Sequence, residues 1–505
     1  MRALVVAAAV AAAAVDVLRW LRVAQREHYL PGAAWRFARR WSSTGPGRLR
    51  AAALVVAVVA TAVHPAPGLA AAALVAIGPP GLSLRGRTSK LAWTRRLRTV
   101  AAVWVGLQLL VVTVGVVAGI GPLFAAMAAA LTPVVVDRAL SLTAPIEDRL
   151  GRRWVQDAAA RLRQVGPTVV GITGSYGKTT TKGYVAHLVG GSRSVVASPA
   201  SFNNRSGLAR AVNEHLTPGT EVFVAEMGTY GPGEIAELCR WFPPDVAVIC
   251  AIGPVHLERM GTEEAIVAAK SEILAPADVA VLNIDHPGLA RLADERAAAG
   301  RRVVRCSSAP GSGTDADVAV VDGRVLVRGR AVGVVDGAGV HAGNLACAVA
   351  VALELGVDEG DVVARLVDLP RPPNRLTVST AASGARVIDD TYNANPAGAA
   401  AALAALGRLA RPDHRRVVVT PGMVELGARQ DDENRRFAAA AVAGGVTDLV
   451  VVGHTNRGAL LAGAHGGGAE VVTVAHREQA VAWVRQHVGE GDAVLYENDL
   501  PDHFP

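Results

Sequence analysis

The pattern of apolar and polar positions changes character near residue 140. Before it the chain runs in long apolar stretches; after it, short Val-rich runs alternate with Ala-rich helical stretches. Residues 99–120 carry no charge, and as a helix they would extend about 33 Å, enough to cross a bilayer's hydrocarbon core. Residues 2–18 form a second candidate span, with Asp16 near its end, where an acid is costly unless it reaches the interface. No small-residue cleavage site precedes a soluble domain, so this segment does not read as a cleaved signal. Residues 51–80 are apolar but broken by His64-Pro65-Ala66-Pro67-Gly68, which predicts a tight helical hairpin or a re-entrant pair. Ile120-Gly121-Pro122 reads as a turn opening a last short apolar helix, running to about residue 136 and ended by Asp137 and Arg138.

Beyond the apolar region the alternation predicts an α/β architecture. The expected domains are a membrane region over 1–148 with about four or five apolar helices, a central α/β domain over 149–370, whose P-loop and ATP-binding character rest on the residues given below, and a Rossmann-like C-terminal domain over 371–505. A Gly-rich insertion of short strands is expected near 314–336. C-terminal strands are expected at 386–389, 415–419, 448–452 and 492–496, reached through Pro370-Arg371-Pro372-Pro373.

Charge placement refines this. The net +7 sits near the start: residues 19–50 hold Arg19, Arg22, Arg26, Arg36, Arg39, Arg40, Arg48 and Arg50 against Glu27 alone, and residues 81–98 hold six bases and no acid. The remainder is slightly acidic, which argues against a nucleic-acid partner and for basic loops held at the cytoplasmic face. A multi-pass plasma-membrane protein with cytoplasmic catalytic domains follows; a soluble bundle of Ala/Val helices is the alternative. The four cysteines, at 239, 250, 306 and 347, lack Cys-x-x-Cys spacing and fit buried thiols in a reducing compartment.

The chemistry begins where the strand 167–173 runs into Gly174-Ser175-Tyr176-Gly177-Lys178-Thr179-Thr180, which opens a helix. Glycines let backbone N–H groups approach phosphates and the helix N-terminus favours an anion. Lys178 would reach the β- and γ-phosphates, and Thr179 would ligate Mg²⁺. Ile172 stands where the strict phosphate-loop pattern has its first glycine. Of the 51 Lys and Arg residues only four are Lys, yet Lys178, Lys182 and Lys270 all fall in motifs. A compact ammonium suits a phosphate loop, and an amine reacts with CO₂ where a guanidinium does not.

Further motifs follow in order: Phe202-Asn203-Asn204, Ala225-Glu226-Met227-Gly228, Gly253-Pro254-Val255-His256, Ala269-Lys270-Ser271-Glu272, Leu282-Asn283-Ile284-Asp285, Asp389-Asp390-Thr391-Tyr392-Asn393-Ala394-Asn395-Pro396 and Gly422-Met423-Val424-Glu425. From residue 165 to about 490 the chain resembles the Mur ligases, and the last two motifs resemble the branch that adds D-alanyl-D-alanine to a muramyl tripeptide. The resemblance implies ATP and two Mg²⁺ ions: Glu226 as a ligand with Thr179, His256 as a ligand to the second ion, and Lys270 carbamylated by CO₂ to help hold the metal. It also implies that Asn283 hydrogen-bonds adenine, and that Arg375 and Asp390 reach the γ-phosphate and ribose from the C-terminal domain. Lys178, His256, Lys270 and Arg375 are then the catalytic set. From the residues alone, Lys270 reads as a solvent-facing helix lysine and His256 as a loop histidine.

The implied reaction is amide-bond formation through an acyl-phosphate, between an amino-acid or dipeptide amine and a carboxylate acceptor carried as a UDP- or lipid-linked muramyl peptide. The chain departs from the family in three places. Membrane segments stand where the UDP-sugar domain is usual, Glu497-Asn498-Asp499 stands where a Lys-Gly-Ser element is usual, and His341 and Asn344 are three apart rather than four. Competing readings are a membrane-associated ligase making another peptide or poly-amino-acid, and an inactive ATP-binding scaffold for cell-wall enzymes. A scaffold has no need of a second-metal set.

Overall fold

Long apolar runs with few breakers form helices because each backbone N–H and C=O is satisfied within the segment. In the computed structural model, which describes residues 1–86, 90–255, 257–309, 311, 315–335, 340–370, 376–392, 394–411 and 413–505, seven helices open the chain. They are α1 (Arg2–Arg26), α2 (Ala33–Ser43), α3 (Gly45–Ala60), α4 (Pro67–Ile77), α5 (Arg95–Val117), α6 (Gly121–Ala130) and α7 (Thr132–Val165). Two compact units divide the chain. The first is Met1–Gly151 with Gly453–Thr455 and Leu500–Pro505; the second is Arg152–Val452 with Asn456–Asp499.

The helical unit is apolar outside and partly charged inside. Val56, Leu110 and Val117 are 68%, 61% and 83% exposed, whereas Asp16, Arg19, Arg22 and Glu27 are buried among alanines and tryptophans. Arg19 donates to Asp16 at 3.1 Å and to the carbonyls of Ala76, Ile77 and Leu82. The segment 500–505 lies in this interior. Arg22 meets the Asp502 carboxylate at 2.9 Å, His503 meets Glu27 at 3.1 Å, Trp41 Nε1 donates to the His503 carbonyl, and the Phe504 ring packs edge-on against Phe37. α1 and α5, at 25 and 23 residues, are long and apolar enough to cross a membrane. α3 and α4 pack on one another as the hairpin expected over 51–80.

One expectation fails here. Asp137 and Arg138 do not end a helix: α6 stops at Ala130, the path bends by 73°, and α7 continues through both charges for 34 residues with Pro145 inside it. A charged residue does not break a helix. The Asp137 carboxylate instead accepts the backbone N–H groups of Ala34 and Trp35 at 3.1 and 2.9 Å, satisfying donors at the start of α2.

In the second unit the Val-rich runs are strands buried on both faces, as parallel sheets require. A nine-stranded sheet contains β1 (Thr168–Thr173), β2 (Val195–Ala197), β3 (Val222–Glu226), β4 (Val246–Ile249), β5 (Val279–Asn283), β6 (Arg302–Ser307), β7 (Val318–Val321), β8 (Arg324–Val327) and β9 (Arg330–Val334). Their order is β2-β3-β1-β4-β5-β6-β7-β8-β9, parallel except for the β7-β8-β9 meander, which is the short-stranded insertion expected near 314–336. Period-two alternation sends Val170 and Ile172 into the core on one face and Val169 into the core on the other.

The second sheet holds β10 (Thr377–Thr380), β11 (Arg386–Asp390), β12 (Arg416–Thr420), β13 (Asp448–Val452), β14 (Glu470–Val474) and β15 (Ala493–Glu497), in the order β10-β11-β15-β12-β13-β14. All pairings are parallel except β10 with β11. The four expected C-terminal strands are present. β10 and β14, at the two edges, were not anticipated. All four cysteines are free and buried.

Candidate active site

After β1 the chain crosses to β2 and β3 on one side, then to β4 on the other. Ligands of open α/β sheets bind at such a switch point, beyond the strands' carboxyl ends. There Gly174–Gly177 leads into the helix α8 (Lys178–Val189), whose N-cap, Gly177, has φ +82° and offers no capping side chain. A Cβ at Gly177 would lie 2.3 Å from Asn344 Oδ1, so only glycine allows this approach. The first N–H groups of α8 are left for an anion. Lys178 Nζ folds back onto the Gly174 carbonyl at 2.7 Å, Ser175 Oγ bonds the Gly253 backbone, and Tyr176 donates to the Ile252 carbonyl.

Glu226, the last residue of β3, is 1% exposed. Its carboxylate accepts from Thr179 Oγ1 at 3.0 Å, Lys182 Nζ at 2.9 Å and Asn203 Nδ2 at 3.2 Å. A carboxylate beside a threonine hydroxyl is a hard-oxygen pair suited to Mg²⁺, which keeps waters and substrate phosphates in its other positions. The Thr180 hydroxyl is buried with no hydrogen-bond partner among the described residues, which also fits a phosphate-bearing ligand. In the sequence Lys182 stands out only by the rarity of Lys and carries no role. Its buried pairing with Glu226 places it in the site.

Lys270 corrects the solvent-facing reading. It lies on the helix Glu263–Ser271 and is 1% exposed. Burial, with the Lys178 charge nearby, pushes its ammonium down to about 7, so a neutral, nucleophilic amine is available near neutral pH. Burial also pushes the Cys250 thiol up to about 12, leaving it an inert wall beside the glycine loop. His256 and Arg375 lie outside the described residues.

A cavity of about 490 Å³ opens beside the loop, lined by Tyr176, Gly177, Thr180, Asn283, Asp285, His341, Asn344 and Asn395 among others. Asn283 ends β5 and donates to the Cys250 carbonyl at 2.9 Å. Asp285 is held by the hydroxyls of Ser307 and Ser308. His341 and Asn344, given no role from their spacing, are the N-cap and first turn of the helix Ala342–Glu354 and face this cavity. Asn395, Ala397 and Gly398 bring the start of the helix Pro396–Leu409 to the same wall, so the cavity is built from both α/β domains. Further ties between them are Ser201 Oγ with Tyr392 at 2.7 Å and Arg429 with Glu263 at 2.7 Å. Asp390 ends β11 and accepts from Leu376 N at 3.0 Å; it is not among the cavity's lining residues.

A glycine cradle at a switch point, completed by a second parallel α/β domain, is the plan of an ATP-dependent carbon–nitrogen ligase, and this chain is one. Residues 172–327 match the Mur ligase middle domain and residues 374–496 match the Mur ligase glutamate ligase domain; the chain belongs to the Mur ligase family. The UDP-N-acetylmuramoyl-tripeptide–D-alanyl-D-alanine ligase of Mycobacterium leprae is 37% identical over 374 residues, spanning 67% of this chain and 72% of that protein. The same-named ligase of Bacillus subtilis is 28% identical over 358 residues, or 68% and 75%. The MurF ligase of Thermotoga maritima, solved in complex with ADP, superposes with a TM-score of 0.56 at 27% identity, covering 69% of this chain and 80% of that one.

Proposed function

We propose that this chain is a membrane-tethered Mur ligase that joins D-alanyl-D-alanine to the carboxylate of a muramyl-peptide precursor of peptidoglycan. The observation that carries this is the cavity lined both by the phosphate loop and by the Asn395–Gly398 segment of the second domain. In this reading residues 1–148 are the membrane region, 149–370 the nucleotide-binding domain and 371–505 the C-terminal ligase domain.

The substrate carboxylate attacks the γ-phosphate of ATP, forming an acyl-phosphate and releasing ADP. The incoming amine then attacks the acyl carbon, and phosphate leaves as the amide forms. Lys178, unfolded from the Gly174 carbonyl, would meet the charge developing on the transferred phosphoryl group. Thr179 and Glu226 would hold one Mg²⁺, whose chemistry is charge neutralisation between the phosphates. His256 would serve a second ion, and the Lys270 amine would add CO₂ to become a carbamate ligand. Asn283 would receive adenine, with Arg375 and Asp390 completing the ATP site from the C-terminal domain. Closure of the two domains would exclude water from a hydrolysable intermediate.

The membrane assignment is supported by α1, α5 and the bent α6–α7 pair as candidate crossings, and by the exposed apolar faces of α3 and α5. With the basic loops inside, the catalytic domains would lie in the cytoplasm. A lipid-linked acceptor is the precursor form this tether suits. Glu497 and Asp499 at the end of β15 favour a second reading on one point: an amine other than D-alanyl-D-alanine.

Mass spectrometry of the full chain in detergent decides between these, with ATP, Mg²⁺, D-alanyl-D-alanine and UDP- or lipid-linked muramyl tripeptide. A product heavier by the dipeptide, lost in Lys178→Ala, is expected. ADP release only with other amines would discard the dipeptide, and no turnover with any acceptor would leave an ATP-binding scaffold.

A further inference from the structure

Lys182 lies one turn beyond Thr179 on α8, so the two side chains leave the same helix face and meet the carboxylate that ends β3. Both donate to one oxygen: Thr179 Oγ1 and Lys182 Nζ reach Glu226 Oε2 at 3.0 and 2.9 Å, while Asn203 Nδ2 donates to Oε1 at 3.2 Å. The Lys182 and Glu226 side chains are 7% and 2% exposed, so their ion pair is shielded from screening by salt.

The ammonium is held from its other side as well. Lys182 Nζ donates to the Ala200 carbonyl at 2.5 Å, in a turn that Phe202 N closes by donating to the Pro199 carbonyl at 3.0 Å. Ala200 has φ +43°, a conformation that a residue with a Cβ adopts at a cost, and it carries the carbonyl that meets the ammonium. Ser198 Oγ accepts from Glu226 N, and the Asn203 carbonyl accepts from Gly228 N. The loop between β2 and the helix Arg205–His215 is thus fastened to the end of β3 before and after Ala200.

Glu226 is the carboxylate that the proposed function gives to Mg²⁺, and it already has a cation beside it. Lys182 would act on a divalent ion there in two opposed ways. Its hydrogen bond orients the carboxylate, and losing such an orienting partner costs about 10–100-fold in metal affinity. Its charge repels the ion: at an effective dielectric of about 20, a single and a double positive charge within about 5 Å disfavour each other by more than about 10⁴-fold. Repulsion wins. Nucleotide phosphates reverse the balance, because they bring negative charge that answers both cations. We propose that Lys182 is the resident counter-charge of Glu226, a positioning residue that reserves this carboxylate for metal carried on nucleotide phosphates and turns free divalent cation away. This role rests on Glu226 being the Mg²⁺ ligand of the proposed ligase.

Mn²⁺, a hard ion that favours carboxylate as Mg²⁺ does, reports its binding through the loss of the free ion's electron paramagnetic resonance signal. Binding at Glu226 is the part that Glu226→Gln removes. In the full-length protein in detergent, wild type is expected to bind Mn²⁺ at Glu226 when ADP is present and not when it is absent. Lys182→Met keeps the apolar stem and removes the charge, and it is expected to bind Mn²⁺ without ADP at least about tenfold more tightly than wild type, a gain that adding Glu226→Gln abolishes. A damaged fold does not produce a gain of binding. Equal or weaker ADP-free binding in a folded Lys182→Met overturns the proposal. So does a wild type that binds Mn²⁺ at Glu226 as tightly without ADP as with it, a comparison that stands even where Lys182→Met does not fold. A wild type that binds neither ADP nor Mn²⁺ with ADP overturns the ligase reading instead, and the ADP-free comparison with Lys182→Met still decides the counter-charge.

Discussion

The helical unit and the α/β unit both bury charge, but they satisfy it differently. In the helical unit Arg19 and Arg22 are answered by Asp16 and Asp502 and by backbone carbonyls, and Glu27 is answered by His503 and Arg36. In the α/β unit Lys182 and Glu226 pair beside the phosphate loop, yet Lys270 makes no ion pair among the described residues and Glu497 meets no donor. Buried charges paired with one another hold a structure together; buried groups left with a perturbed protonation state mark chemistry. The helical unit's charges read as architecture, and those at the strand ends as function.

The largest test of that contrast is Lys178→Ala, expected to lower ligation by about 10²–10³-fold or more while leaving thermal stability within about 0.5 kcal/mol. Parallel activity assays and melting curves check it; a large stability loss would make Lys178 architectural too. Arg22→Ala should do the reverse. It removes a pair whose side chains are 1% and 2% exposed, and should destabilise the helical unit by about 3–5 kcal/mol, read by thermal unfolding in detergent. An unchanged melting temperature would remove the paired-charge account.

Lys270→Ala is expected to cost about 10²-fold in activity, with partial rescue by short carboxylic acids standing in for a carbamate. Full activity in the variant would delete the carbamate from the reaction. A smaller effect concerns pH. Because the folded-state pKa of Glu497 lies above its unfolded value, the folded chain holds an extra proton between them, so its stability contribution is present at low pH and is lost as pH rises through the folded value. Glu497→Gln should remove that slope, giving a melting-temperature difference from wild type that grows as pH rises above the ordinary carboxylate range. Smallest of all, Arg435→Ala breaks a pair whose side chains are 52% and 59% exposed, and should change stability by less than about 1 kcal/mol.

Much of the frame was readable from the chain. β1, β3, β5, β11 and β13 are apolar runs ended by Gly, Asn, Asp or Glu, and such runs can be recognised without knowing their partners. β10 and β14 were not seen because edge strands are half solvated: Thr377–Thr380 is exposed throughout, and its pattern resembles a loop. α7 was cut short because Asp137 and Arg138 look like a stop when their partners are unknown. In the site, the loop Gly174–Thr180 and Glu226 were legible from local order. The burial of Lys270 was not, since nothing in Ala268-Ala269-Lys270-Ser271 says which helix face is covered.

Local sequence thus determined the phosphate loop, the positions of most strands and the two longest apolar helices, because those depend on contacts between residues near in the chain. Tertiary structure decided what depends on distant ones. It set Glu497 beside Asp390 across two parallel strands, turned Lys270 inward toward Lys178, and seated residues 500–505 against Arg22, Glu27 and Trp41. The physical reason is that an ionisable side chain takes its charge state from the dielectric and the partners around it, and in this protein those partners come from up to 480 residues away, as for Arg22 and Asp502.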